Sequence, residues 1–204
     1  MLFDDTYKTI SVASEGTFRD KGSKFIAYVF PLASESEFKG IVNNLRSIHP
    51  KANHYCWALR LSPDRSVFRL NDDGEPSGTA GRPILNTLLS YDLTNVIVVV
   101  VRYFGGTLLG VPGLINAYKK ATIEALNNSQ IIEVTLKAVY ELGFDHSQMN
   151  DVMKILKEEN LKIRSQAFDI LCVMQIEIRQ ASLEPILERF KKIKNINLKY
   201  ISTL

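Results

Sequence analysis

A loop of unusual composition occupies residues 71–83, with the sequence Asn-Asp-Asp-Gly-Glu-Pro-Ser-Gly-Thr-Ala-Gly-Arg-Pro. We call it the first glycine loop. Its glycines are costly to order, because glycine loses the most conformational entropy on folding. The successive amides of Gly78, Thr79 and Gly81 would point at an anion where a helix N-terminus adds its positive dipole end. We therefore expect anion binding here, and the alternative is that the glycines serve only tight turns and close packing.

The second glycine loop, residues 102–113, leaves a predicted buried strand and enters a predicted helix. Arg102, Tyr103 and Phe104 place a cation and two aromatic rings at the end of that strand, just before Gly105 and Gly106. This combination can stack RNA bases, and it can equally seal the edge of a core. Because ligands of open α/β sheets bind where strands end, we expect both glycine loops to converge on one site.

Two better-known kinds of site do not fit these loops. Val111 and Pro112 stand where a P-loop requires lysine and then serine or threonine. Asp72, Asp73 and Glu75 offer carboxylates to a divalent ion, but Asp-Asp-Gly is an ordinary turn sequence and lacks the alternating ligands of a calcium loop. We therefore predict neither a cofactor nor a metal ion.

His54 is the titratable side chain of most interest, since it begins a predicted strand that continues into Tyr55, Cys56 and Trp57. An imidazole together with carboxylates and a guanidinium would allow acid–base chemistry and charge stabilisation. A strand histidine also commonly has a hydrogen-bonded structural role, and that alternative stays open.

Composition limits the classes of partner. The chain of 204 residues has a formal net charge of +3, so any nucleic-acid binding must come from a local patch. The candidates for that patch are Lys21, Lys24, Arg82 and Arg102.

The longest apolar run, residues 96–101, has six residues where a membrane span needs about 20. The acidic start of the chain does not resemble a signal peptide. Cys56 and Cys172 are the only cysteines, too few for a disulfide framework or a thiolate zinc site. We expect a cytoplasmic protein with two reduced, buried thiols and no membrane contact.

Periodicity predicts a mixed first half and a regular second half. In residues 1–132 it predicts strands at 9–12, 17–19, 25–30, 54–61, 67–70 and 96–101, and helices after Ser34, up to Ser90 and after Gly113. Ser34 and Glu37 have the spacing of a capping box.

In residues 133–204 the periodicity predicts the order β-α-β-β-α-β, with strands at 134–144, 161–168, 172–178 and 196–201. Asp145 with Gln148, and Ser182, are the predicted helix caps. This order is typical of a ferredoxin-like domain, in which two helices pack on one face of an antiparallel sheet. The sequence therefore predicts an α+β protein with domains at 1–132 and 133–204.

Several motifs resemble those of the YigZ/IMPACT family. They are residues 72–83, Val-Val-Arg-Tyr-Phe-Gly-Gly at 100–106, Lys-Gly-Ser-Lys-Phe-Ile-Ala at 21–27, and His54 with Cys56-Trp57. The resemblance covers residues 15–125, and the tail is similar to the additional C-terminal domain of bacterial members. It implies an N-terminal α/β domain like that of a small-subunit ribosomal protein and of domain IV of elongation factor G, followed by a domain like domain V of that factor.

The resemblance also implies a role in translation, because eukaryotic relatives act in translational control through a protein partner, with an extra domain that this sequence lacks. Leu108 and Asn116 depart from the family pattern, which often has lysine and arginine at these positions. Both departures remove positive charge beside the second glycine loop, and they weaken a phosphate or RNA-backbone site there.

Our first hypothesis is a non-enzymatic binding protein linked to translation regulation, which contacts RNA, the ribosome or a protein partner. The alternatives are an enzyme that acts on a small anionic or phosphorylated substrate in the glycine-loop cleft, and a protein-interaction module. The predicted ligand-binding residues are His54, Asp73, Glu75, Gly78, Thr79, Gly81, Arg82, Arg102, Tyr103, Gly105 and Gly106.

Overall fold

The six-residue apolar run lies in the central strand of a five-stranded sheet in a computed structural model of this chain, which describes residues 5–204. The chain divides into two units, Tyr7–Val134 and Thr135–Leu204, and Asp5 and Thr6 group with the second unit. Both units mix helices with strands.

The N-terminal unit has seven strands and three helices. They are β1 (Thr6–Ile10), β2 (Ser14–Asp20), β3 (Ser23–Pro31), α1 (Phe38–Ile48), β4 (His54–Leu61), β5 (Val67–Asn71), α2 (Gly81–Ser90), β6 (Val96–Tyr103), α3 (Gly110–Asn127) and β7 (Ile131–Thr135). Strand β1 pairs with β7 (Ile131–Thr135) in a separate two-stranded sheet. Most of the predicted strands are present, but several are longer than the periodicity indicated.

The main sheet has the order β2-β3-β6-β4-β5, and all its neighbouring strands are antiparallel. Along β6, Val96, Val98 and Val100 belong to the core that contains α2 and α3, whereas the alternate residues belong to the core that contains α1. Both faces of β6 are therefore covered, which is why this strand has no polar alternation.

The topology places one end of this sheet where the predicted site residues lie. Strands β5 and β6 are both antiparallel to β4, so they run in the same direction, and the two glycine loops leave the sheet at the same end. In the ladders, Lys24 on β3 is opposite Tyr103, and His54 on β4 is opposite Arg102. The convergence that we expected from an open α/β sheet thus arises in an antiparallel one.

The C-terminal unit consists of β8 (Lys137–Phe144), α4 (Met149–Glu158), β9 (Lys162–Phe168), β10 (Cys172–Arg179), α5 (Leu183–Lys191) and β11 (Asn197–Thr203). Its antiparallel sheet has the order β11-β8-β10-β9. Side chains from both helices pack with the strands in a single core. The predicted order β-α-β-β-α-β is the observed one.

Local capping agrees with the sequence at one helix and differs at two. The capping box of Asp145 and Gln148 is present. Ser34 instead donates to the Glu37 carboxylate at 2.9 Å and caps no backbone amide, and Ser182 makes no side-chain cap. A short 3₁₀ turn precedes the α-helix at all three of these sites.

The predicted strand at 134–144 is two strands, β7 and β8, separated at Leu136. The Leu136 amide donates to the Asp5 carbonyl at 2.7 Å, and its carbonyl accepts from Gln180 at 3.0 Å. The residue is therefore bonded to segments far away in the sequence. Its apolar side chain continues the alternation of apolar residues along 134–144. The sequence pattern therefore gives no sign of the interruption between β7 and β8.

Candidate functional site

The centre of the site is a buried ion pair between the two glycine loops. Arg102 Nη1 donates to Glu75 Oε1 at 2.5 Å, and both side chains are almost fully buried. Tyr118 on α3 donates its hydroxyl to the same oxygen at 2.8 Å. One carboxylate oxygen of Glu75 therefore accepts a hydrogen bond from a side chain of β6 and another from a side chain of α3. The ionisable groups at the centre of the site are bound to each other.

The amides of the first glycine loop already hold an anion of this chain. The Asp72 carboxylate accepts from Gly78 N at 2.9 Å, Ala80 N at 3.0 Å and Gly81 N at 2.8 Å. The Thr79 hydroxyl donates to the Pro76 carbonyl at 2.6 Å. The predicted nest is thus occupied by a carboxylate at the start of its own loop, and an external anion would have to displace it.

Asp73 connects the first glycine loop to α1 and β4. Its carboxylate accepts from Arg46 Nη2 and from the Tyr55 amide, each at 2.7 Å. Its carbonyl accepts from His54 Nδ1 at 2.8 Å, so Nδ1 carries the proton. The other ring nitrogen, Nε2, lies 4.0 Å from Glu75 Oε1, and 25% of the His54 side chain is exposed. His54 is the predicted acid–base residue, and it is oriented by a backbone bond.

Cys56 and Tyr118 extend the buried polar cluster. The Cys56 Sγ lies 3.0 Å from the Asp72 carbonyl and 3.2 Å from the Tyr118 hydroxyl. Burial raises the pKa of the Cys56 thiol and of the Tyr118 phenol well above their usual values. The thiol therefore stays protonated at neutral pH, as expected for a buried cysteine, and it is a poor nucleophile.

The aromatic residues of the second glycine loop have separate roles. The Arg102 guanidinium lies 5.3 Å from the Phe25 ring centroid and 5.6 Å from that of Phe104, within the range of cation–π contact. Tyr103 points elsewhere, since its hydroxyl is 2.9 Å from His49 Nδ1. Desolvation lowers the pKa of His49. Phe104 is 45% exposed, whereas Phe25 is buried.

The turn between β2 and β3 touches the second glycine loop. A Cβ on Gly105 would lie 1.9 Å from the Gly22 carbonyl carbon, so this contact requires glycine. The Gly105 amide donates to Ser23 Oγ at 3.1 Å. Gly106 has a φ of +84° and open space where a Cβ would be. The structure thus joins the basic group of Lys21 to the second loop, a proximity that the sequence did not indicate.

Sequence reasoning missed the contributions of Tyr118, Arg46 and Asn53. Tyr118 was visible only as one member of an apolar stripe on a helix, although a buried tyrosine hydroxyl needs a partner. Asn53 Oδ1 accepts from the Phe104 amide at 2.8 Å. Arg82 is exposed at the start of α2 and takes no part in the buried cluster. Among residues 5–204, no three potential ligands are grouped to hold a metal ion.

Comparison with known proteins assigns the chain to a family. A family model described as the Impact N-terminal domain matches residues 21–126, which include both glycine loops and all three helices of the N-terminal unit. The chain belongs to the IMPACT family. This family is the one that the motifs at residues 21–27, 72–83 and 100–106 resemble.

Relatives match beyond this domain. The IMPACT family member YvyE of Bacillus subtilis is 33% identical over 159 residues, which are 78% of this chain and 73% of YvyE. The IMPACT family member YigZ of Escherichia coli is 30% identical over 165 residues, which are 80% of this chain and 81% of YigZ.

A crystal structure described as a hypothetical protein has the same two-domain α/β fold. It superimposes on this chain with a TM-score of 0.68 at 26% identity, covering 97% of this chain and 98% of that one. Among the helices within residues 5–204, none has the length and apolar character to cross a membrane.

Proposed function

We propose that this IMPACT family member is a non-enzymatic binding protein in translational control, acting in the cytoplasm and contacting RNA or the ribosome. Family membership supports the link to translation, since the resemblance implies that eukaryotic relatives act there. The observation that carries the binding role is that Arg102 and Tyr118 both donate to the buried Glu75 carboxylate. Groups that are buried and paired hold the site together, and they leave binding to the exposed residues around them.

Four exposed residues and the half-buried Lys24 form what we call the loop surface, which consists of Lys21, Lys24, Phe104, Gly106 and Leu108. Gly22 and Gly105 hold its two turns together. Phe104 is 45% exposed and Leu108 is 82% exposed, and Lys24 is opposite Tyr103, the residue before Phe104, in the sheet. A cation beside an exposed aromatic ring suits single-stranded RNA, which stacks its bases on such rings.

The electrostatic part of this binding is small. Arg102 is paired with Glu75, and Leu108 and Asn116 lack the charge that relatives often carry at these positions. Lys21, Lys24 and Arg82 then neutralise about two or three phosphates, which corresponds to a log–log salt slope of about −2. We expect weak binding that is lost at moderate salt.

Fluorescence polarisation of labelled single-stranded RNA across a salt series tests this proposal, together with co-sedimentation on ribosomes. The variant Lys21→Ala/Lys24→Ala should reduce the slope by about one to two units. Lys192→Ala/Lys194→Ala, an equal loss of charge from exposed lysines of the other unit, should leave it unchanged. Binding that is absent at low salt, or equal slopes in both variants, would contradict RNA contact at the loop surface.

A second candidate function is acid–base catalysis on a small anionic substrate, and the position of His54 favours it. Its Nδ1 donates to the Asp73 carbonyl, while its Nε2 faces Glu75 and the side chain is partly exposed, so Nε2 is the ring nitrogen that a substrate could reach for proton transfer. The substrate would lie beside His54 and Asp73. If His54→Gln retains RNA and ribosome binding but abolishes turnover of a phosphorylated compound, catalysis replaces binding as the function.

We also infer the domain types that underlie this function. The antiparallel order β11-β8-β10-β9 supports a ferredoxin-like C-terminal domain. For the N-terminal domain, the resemblance supports the type found in a small-subunit ribosomal protein and in domain IV of elongation factor G. Both types fit a protein of the translation apparatus.

A further inference from the structure

A groove between α2 and α3 lies apart from the buried ion pair. It encloses about 360 Å³, and Arg82 and Asn86 of α2 and Ile115 and Lys119 of α3 line it. Residues four apart share a helix face, so Arg82, Asn86 and Ser90 form one wall. On α3, Val111, Ile115 and Lys119 form a parallel ridge that changes from apolar to cationic over about 12 Å.

Both cations of the groove lack an ion-pair partner in the part of the chain that the structure describes. Neither Arg82 nor Lys119 makes an ion pair with any residue in the range 5–204, although most other arginines of this chain do. The Asn86 amide likewise makes no hydrogen bond within the described part of the chain. Two cations that face one groove repel each other, and a carboxylate-bearing ligand would relieve this repulsion.

The apolar part of the groove surface is exposed and aliphatic. Val111 is 52% exposed and Ile115 is 38% exposed, and the ridge continues toward Leu108. Contiguous exposed apolar side chains of this kind mark interaction sites. Single-stranded nucleic acid is bound by aromatic rings, and the groove lining contains none. These features favour a protein segment over RNA.

We propose that the α2–α3 groove docks an acidic amphipathic segment of a protein partner. Aliphatic side chains of the segment lie over Val111 and Ile115, and its carboxylates pair with Arg82 and Lys119. This inference goes beyond the proposed function, because it concerns a protein partner and does not require RNA contact. Of the residues assigned to RNA binding, it shares only Arg82. A helical or extended segment about 12 Å long covers the ridge.

Selection of a random twelve-residue peptide display library on the full chain tests the groove. The enriched peptides should carry aspartate or glutamate beside aliphatic residues. Titration of a selected peptide should shift the methyl NMR signals of Val111 and Ile115. Enrichment of peptides without carboxylates, or no enrichment at all, would overturn the proposal.

Charge reversal then localises the binding. Arg82→Glu and Lys119→Glu should each lower the affinity for the selected peptide by about tenfold or more. Lys120→Glu is the matched control, because Lys120 is the next residue on α3 and its ammonium instead lies 5.2 Å from the Phe18 ring centroid. Equal loss of affinity in Lys119→Glu and Lys120→Glu would refute docking in the groove.

Two further variants separate this proposal from the loop surface. Lys21→Ala/Lys24→Ala should bind the peptide with unchanged affinity, whether or not RNA binding is lost. A thermal unfolding scan should show that all the exposed variants are folded. If Arg82→Glu and Lys119→Glu abolish RNA binding and leave peptide binding intact, the groove binds RNA and the proposal is wrong.

Discussion

At the residue scale, Glu75 controls the site because three groups surround its carboxylate. Arg102 and Tyr118 donate to one oxygen, and the His54 ring nitrogen is 4.0 Å away. The Arg102 Nε is buried without a hydrogen-bond partner in the described part of the chain. The guanidinium therefore depends on Glu75 for its charge compensation, apart from the Phe25 and Phe104 rings.

We predict that Glu75→Gln lowers the free energy of unfolding by about 3–5 kcal/mol, since it leaves the buried Arg102 charge without a counterion. Urea denaturation followed by circular dichroism measures this. Exposed Glu133→Gln is the control and should change stability by less than about 0.5 kcal/mol. The double variant Glu75→Gln/Arg102→Met should regain part of the loss. A Glu75→Gln protein as stable as the wild type would show that the pair contributes nothing.

At the element scale, the start of α2 is stabilised by a side chain that lies outside the helix. Asp72 follows the last residue of β5 and accepts from Gly81, the first residue of α2, and from two amides before it. A carboxylate at this position also interacts favourably with the positive end of the helix dipole. The first glycine loop is therefore folded around Asp72 as an internal anion.

We predict that Asp72→Ala destabilises the N-terminal unit by about 2 kcal/mol, because it leaves partly buried amides without an acceptor. Hydrogen exchange should show faster exchange of the Gly78, Ala80 and Gly81 amides. Asp64→Ala, an exposed carboxylate of the same unit, is the comparison. If exogenous phosphate restores slow exchange in Asp72→Ala, these amides can hold an external anion. Unchanged exchange without phosphate would show that Asp72 does not organise the loop.

At the scale of the whole molecule, the beginning of the chain contributes to the unit formed by its end. The Asp5 carboxylate accepts from Arg179 Nε at 2.8 Å and Nη2 at 2.9 Å, and from the Ala181 amide at 3.0 Å. The hydrogen bond from Arg179 lowers the pKa of Asp5 below its usual value of 3.8. Asp5 and Arg179 are separated by 174 residues.

The lowered pKa predicts a pH dependence of stability. A carboxyl whose folded pKa is depressed contributes stability above its unfolded pKa, and the contribution is lost as pH falls through the folded value. The C-terminal unit should therefore lose stability below about pH 4. Asp5→Asn should be less stable at neutral pH and should show a smaller loss on acidification. Identical pH profiles for Asp5→Asn and the wild type, measured by hydrogen exchange of β10 amides, would contradict this role.

We also predict that the chain contains two units that fold independently, at 1–132 and 133–204. Limited proteolysis should cut within residues 127–133 and leave two folded pieces. A C-terminal piece produced alone lacks Asp5, so it should be less stable than the same unit in the full chain. Failure to obtain any folded C-terminal piece would contradict independent folding.

The sequence by itself determined the elements and their order. Alternation and helical spacing predicted the β-α-β-β-α-β order of the C-terminal unit, the buried strand β6 and the positions of both glycine loops. The cap formed by Asp145 and Gln148 was also predictable. These features depend on residues a few positions apart, so the spacing of residue types records them.

Only the tertiary structure decided which polar groups meet. The Asp72 carboxylate binds the amides that we expected to bind an external anion. Glu75 pairs with Arg102 and Tyr118, and the predicted strand is interrupted at Leu136. The fold also left Arg82 and Lys119 beside a groove with no ion pair to any of the residues 5–204. The physical reason is that the partner of an ionisable group depends on the path of the whole chain. Residues 27 and 43 positions from Glu75 become its neighbours only when strands and helices pack.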